Sequence, residues 1–201
     1  MLWGDQQIKV IEMEVPLIKR MLLSRIKMEV KRKPLRLKEG DVFTVPIDET
    51  TKGYGQIVKI PNKSKLLICV FEGRWDINEE QEISKMVKQP ILFLGFTSDA
   101  LLFHRKWVII GNITTNLPSI TMPLFKLAFP PETKLVNYKL EILRKATPLE
   151  DKLLPFQSSN SPIGYQKALQ AYYDLLDYDL GKEFEYKHIV STLIKLNLLS
   201  D

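Results

Sequence analysis

Nucleophilic, acid–base and metal chemistry draw on a short set of side chains, and this sequence spaces few of them usefully. It holds one cysteine, Cys69, and two histidines, His104 and His188. Cys69 stands between Ile68 and Val70 in an apolar run, where a thiol behaves as a small hydrophobe. A nucleophilic cysteine needs a basic or helix-terminal neighbourhood that favours the thiolate. His104 is followed by Arg105 and Lys106 and reads as a turn residue, while His188 stands at the start of a helical stretch. A single cysteine excludes multi-cysteine zinc sites, and the two histidines lack ligand spacing. Gly53-Tyr54-Gly55 is the nearest approach to a phosphate loop, but no helix and no Lys-Ser/Thr pair follows it. The sequence therefore leads us to expect no catalytic residue, no metal, no cofactor and no small-molecule substrate.

Carboxylates and aromatics carry more information. Glu79-Glu80-Glu82 reads as a helix entry in a solvated loop. Asp174 and Asp177 are three apart, which on a helix puts them on one face. Two carboxylates without a third convergent ligand make a poor Mg²⁺ site. That leaves a solvated helix face or a surface for a basic partner. Gly73-Arg74-Trp75 reads as a loop that presents a tryptophan, and Arg and Trp are favoured interface anchors. The candidate partner-binding residues are thus Arg74, Trp75, Asp174 and Asp177. Trp107, entering Val108-Ile109-Ile110-Gly111, reads as a core residue.

The elements that must position these residues follow from periodicity and turn signals. Val42–Ile47, Tyr54–Ile60, Leu66–Phe71, Ile91–Phe96 and Lys106–Ile113 read as strands, with two more over 123–129 and 134–143. Adjacent apolar Ile57 and Val58 imply burial on both faces or a bulge. Short strands at this spacing predict a curled antiparallel sheet or a small, SH3-like barrel. After Ser158-Ser159-Asn160-Ser161 the pattern turns helical. Ser161 can cap a helix that begins at Pro162, Gly181 suits its stop, and 189–196 mark a second helix. The expected class is α+β, mostly antiparallel, with a C-terminal α-hairpin packed on the sheet.

Charge divides the chain differently. Residues 1–38 carry ten Lys/Arg against four Asp/Glu, whereas residues 39–201 carry nineteen against twenty. The pI near 9.1 is therefore an N-terminal property. The expected organisation is a basic, partly helical N-terminal arm over 1–38, a β-rich domain over 39–157 and a two-helix extension over 158–201. The arm could also begin at an internal start at Met21 or Met28. The first residues lack a secretory pattern and no apolar run approaches ~20 residues, so a cytoplasmic protein without a membrane span is expected.

Three segments together carry a family resemblance. Gly40-Asp41-Val42-Phe43-Thr44-Val45-Pro46-Ile47, Gly53-Tyr54-Gly55-Gln56-Ile57 and Trp107-Val108-Ile109-Ile110-Gly111 resemble the immunity protein 26 family of bacterial polymorphic toxin systems. The resemblance covers about residues 38–130. It implies a mostly-β domain that binds and neutralises a cognate toxin protein without chemistry of its own. It also implies that the motif residues build the fold, with Gly40 and Gly55 at turns or close approaches and Phe43, Ile57, Trp107 and Ile109 in the core. The opening strands also resemble small-barrel endoribonuclease toxins, but Lys65-Leu66-Leu67-Ile68-Cys69 stands where those carry an Arg-Pro-Val-Leu-Val element. The alternative reading is thus an RNA-binding or endoribonuclease-like barrel that uses the basic arm.

Overall fold

The computed structural model describes residues 35–198. Contacts divide the chain after Arg36, and the fold lies in the unit that starts at Leu37. The basic arm expected over 1–38 therefore lies, except for its last few residues, outside the described part.

Among the described residues nine strands form two antiparallel sheets. In the larger, β1 (Asp41–Pro46), β2 (Thr51–Asn62), β3 (Lys65–Phe71), β5 (Ile91–Thr97) and β6 (Ile109–Asn112) take the order β5-β3-β2-β1-β6. The short β4 (Trp75–Asp76) continues the line of β3 along the start of β2. The smaller sheet is β7 (Phe125–Phe129), β8 (Glu132–Val136) and β9 (Ile142–Lys145). Five helices complete the described part: α1 (Ile83–Met86), α2 (Ala100–Phe103), α3 (Pro148–Leu153), α4 (Pro162–Tyr172) and α5 (Tyr186–Lys195).

The large sheet is buried on both faces. Val42, Tyr54, Val58, Leu67, Cys69, Phe71, Leu94 and Phe96 enter one apolar cluster, while Phe43, Val45, Ile57, Leu66, Ile68, Val70 and Phe93 enter a second. This is the period-two alternation of strand side chains with both faces covered. It explains why Leu66–Phe71 is apolar at every position. It also explains the adjacent Ile57 and Val58, where the β2–β3 register shifts as well. The first face is covered by Met86 of α1, Phe125 and Leu135 of the small sheet, Leu154, and Ile189 and Leu193 of α5. The second is covered by Leu102 of α2, Trp107, and Tyr165, Ala168 and Leu169 of α4.

Three expectations are corrected. The sheet is open, because β5 and β6 end it on opposite sides and never pair, so there is no closed barrel. The two C-terminal helices pack on the sheet as expected, but not together as one hairpin: α4 and α5 bury their apolar stripes in different clusters, on opposite faces. The chain passes from one face to the other around the β5 edge, where Glu185 bridges Phe93 and the Asn160 N–H donates to the Phe96 carbonyl. The edge that invites unwanted strand pairing is thereby covered. The strand expected over 134–143 is two strands, β8 and β9, separated by a turn at 137–141 where the Asn137 N–H donates to the Glu141 carbonyl.

Motif residues build the second face. The Phe43 and Trp107 rings stack with centroids 4.9 Å apart and an interplanar angle of 9°. Gly55 lies under this stack, since a Cβ there would sit 2.6 Å from the Phe43 ring. Ile109, expected in the core, is only half-buried because β6 is the last strand of the sheet.

Candidate functional site

The candidate residues meet around the C-terminal end of α4. The helix starts as its sequence requires, with the Ser161 hydroxyl accepting from the Gly164 N–H at 3.2 Å and Pro162 in the first turn. Tyr165, Ala168 and Leu169 face the sheet. A Cβ at Gly53 would approach Leu169 to 2.6 Å, and one at Gly95 would overlap the Tyr165 hydroxyl, so both glycines make room for this segment. The Trp107 indole N–H donates to Gln166 at 3.3 Å, and the Gln170 amide donates to the Ile47 carbonyl at 2.7 Å.

The helix ends at Tyr172, nine residues before Gly181, and this changes the site. Asp174 adopts a left-handed conformation with φ 58°. Its N–H donates to the Ala171 carbonyl and that of Leu175 to the Gln170 carbonyl, both at 3.0 Å. That is the Schellman pattern, with aspartate in the place that glycine usually takes. Asp174 and Asp177 therefore do not share a helix face: Asp174 lies in the terminating turn and Asp177 in the irregular segment after it. Both are exposed. Gly181 instead precedes a 3₁₀ turn over Lys182–Phe184.

Two tyrosines join this helix end to the β3–β4 loop. The Tyr172 hydroxyl donates to the Glu72 carboxylate at 2.6 Å, and Tyr173 accepts the Gly73 N–H at 2.8 Å. The carboxylate holds the Tyr172 proton, and the phenol pKa is pushed up to about 12. Arg74 lies 5.8 Å over the Tyr173 ring. Its guanidinium pairs with Asp48 at 2.5 Å and donates to the Thr51 hydroxyl at 3.0 Å. Asp48 also accepts from the Thr51 hydroxyl and the Thr50 and Thr51 N–H groups, which hold its carboxyl well below the usual range, the Thr51 hydroxyl most. Arg74 is thus exposed but anchored, and Tyr173 places Asp174 one residue from that anchor.

Trp75 is less open than a loop tryptophan. It stands in β4 opposite Lys52, half-buried, with its ring 4.9 Å from that of Tyr54. The indole covers Gly73, which has φ 133° and no space for a Cβ. Its ring is committed in part to packing.

Beyond the helix end runs a groove that the spacing of single residues does not reveal. It has a volume of about 770 Å³ and lies between the start of β5, α4 and the segment 178–187. Glu72, Tyr172, Tyr178, Asp179, Glu185 and Lys187 contribute its polar lining. The Tyr172-Tyr173-Asp174 and Asp177-Tyr178-Asp179 runs are its only sequence signal. His104 ends α2 and His188 is the third residue of α5, both exposed and remote in sequence from any other candidate. Cys69 is fully buried, and desolvation pushes its thiol pKa far up, which fits a packing role. Among the described residues, no group of three or more His, Cys, Asp or Glu side chains is arranged to hold a metal ion.

A family match covers the motif that shapes the second face. Residues 38–130 match the family model described as Immunity protein 26. The resemblance of this segment to that family holds over the span expected from its motifs. The match spans just under half of the chain and ends within the small sheet, before α3, α4 and α5. No curated protein and no solved structure matches the chain. Arg74 and Trp75 fall inside the matched segment, and Asp174 and Asp177 fall outside it. Among the described residues no helix is long and apolar enough to cross a membrane.

Proposed function

We propose that this protein binds a cognate toxin domain and neutralises it by non-covalent occlusion, without chemistry of its own. The observation that carries the reading is the match of residues 38–130 to Immunity protein 26. Its proposed contact surface is the α4 end with the β3–β4 loop: Arg74 and Trp75 on one side, Asp174 and Asp177 on the other. Tyr172 and Tyr173 hold the two sides together. A surface of exposed carboxylates next to aromatic rings suits a basic partner, because charge complementarity speeds encounter and the aromatic anchors slow release.

Co-expression with the toxin domain encoded beside this gene, in a sensitive cell, tests the proposal. Protection and a one-to-one complex on co-purification are expected. The Asp174→Asn/Asp177→Asn variant should fold normally and protect less well. Absence of both complex and protection, with salt-dependent RNA binding by the same protein, would replace this reading with the nucleic-acid one.

A further inference from the structure

Building on the toxin-binding reading, we infer that the groove beside the β5 edge is the anchoring pocket for a lysine- or arginine-bearing segment of the toxin. The first ground is charge. Residues 172–185 contain five carboxylates and one lysine, whereas the rest of 39–201 carries eighteen Lys/Arg against fifteen Asp/Glu. Of the groove's carboxylates, Glu72, Asp179 and Glu185 form no ion pair among the described residues. Lys187 is the one basic residue in the lining.

The second ground is shape and surface chemistry. The groove is large enough for more than one long side chain, and its wall includes the apolar surface of Ile91, Leu92 and Ala171. Such a surface suits the methylene stem of a lysine or arginine while the charged head reaches a carboxylate. Tyr172 is 46% exposed at the lip. The Tyr178 ring already carries the Lys167 ammonium 5.8 Å from its centroid, so its face accepts a cation in this fold.

The third ground is preorganisation. Glu72 is held by the Tyr172 hydroxyl, and Asp179 Oδ1 accepts the Gly181 N–H at 2.8 Å. Leu180 and Phe184 are buried in the second cluster, and Glu185 is fixed by its bridge to Phe93. These carboxylates therefore stand on fixed backbone and need little ordering when a cation arrives. Asp174 and Asp177 extend the same negative field outward and would steer the approach.

Two arms test this inference. In the first, hexalysine and hexaglutamate peptides are titrated separately into isotope-labelled protein and followed by amide chemical shifts. Shifts from hexalysine should cluster at Ile91–Phe93, Ala171–Tyr172 and Tyr178–Gly181, and hexaglutamate should produce none there. Hexalysine shifts spread evenly over every acidic surface would overturn the pocket. In the second arm, binding of the neighbouring toxin domain is measured for wild type, for Glu72→Gln/Asp179→Asn/Glu185→Gln and for Lys187→Gln, with thermal unfolding to verify the fold. The triple variant should bind at least about tenfold more weakly, mainly through slower association at low salt, and Lys187→Gln should bind more tightly. A toxin that binds wild type and both variants equally removes the pocket but leaves the immunity reading intact. A toxin that does not bind wild type removes both.

Discussion

Between Gly40 and Gly111, most of the motif residues are inside. Phe43, Ile57 and Trp107 are buried, and Gly55 lies beneath the stacked Phe43 and Trp107 rings. Between Tyr172 and Glu185 the pattern reverses, and Asp174, Leu175, Asp177 and Asp179 face solvent without a basic partner among the described residues. The motif residues thus build a scaffold, and of the proposed contact residues Asp174 and Asp177 lie outside the matched segment while Arg74 and Trp75 lie within it.

The comparison breaks most severely if the C-terminal segment is dispensable. A chain ending at Gln157 would lose Tyr165, Leu169, Leu180 and Phe184 from one cluster and Ile189 and Leu193 from the other. At about 2 kcal/mol for each large apolar side chain, this is comparable to the whole net stability of ordinary domains. The truncated protein is expected to be unfolded or insoluble, and a cooperative thermal transition for it would show that the chain up to Gln157 folds without the C-terminal segment.

Trp107→Ala should cost ~3–5 kcal/mol, because it removes the stacked partner of Phe43 and the link to Gln166. Its signature is a lower urea midpoint at an unchanged slope, with toxin affinity preserved wherever the protein is still folded.

Glu150 provides a paired carboxylate to set against the groove's unpaired ones. It is buried and takes a bidentate Arg144 contact at 2.6 and 2.7 Å, and it closes a capping box with Thr147 at the start of α3. Arg144 chiefly holds its pKa at about 2. A carboxyl depressed in the folded state contributes stability that is full above its unfolded pKa of 4.5 and fades as pH falls toward 2. Glu150→Gln should lower stability at pH 7 by about 2 kcal/mol and flatten the dependence of Tm on pH between 5 and 2, readable by calorimetry. Glu72→Gln/Asp179→Asn/Glu185→Gln should leave Tm at pH 7 nearly unchanged.

The smallest effect is the most discriminating. Asp174→Gly relieves a left-handed residue and should change stability by no more than about 1 kcal/mol, in the favourable direction. It also removes a carboxylate from the proposed surface, so toxin association should slow. A variant that is at least as stable and binds more weakly separates the two roles of this residue; unchanged binding would exclude Asp174 from the contact.

Much of the fold was legible in the sequence. Turn residues and period-two runs located most strands within a few residues, Ser161-Pro162 located the start of α4, and three short motifs pointed to the family whose model matches residues 38–130. These are local signals: a cap, a turn or an alternating face is written in adjacent residues. Trp107 and Cys69 were correctly read as core for the same reason, since each lies in or against an apolar run.

Other features depended on contacts between distant segments. The stop of α4 is set by Asp174, an aspartate in a conformation that sequence rules assign first to glycine, while the Tyr172 and Tyr173 hydroxyls reach Glu72 and Gly73 a hundred residues away in sequence. Whether two apolar helices pack on each other or grip a sheet from opposite sides is not encoded in either stripe, because an apolar stripe states only that it must be covered. The buried alternation of β3 and β5 required cover on both faces, and the chain met that requirement by passing around the β5 edge. The groove exists only because of that passage: its carboxylates come from the loop after β3 and from 179–185, and only the tertiary fold brings them to one place.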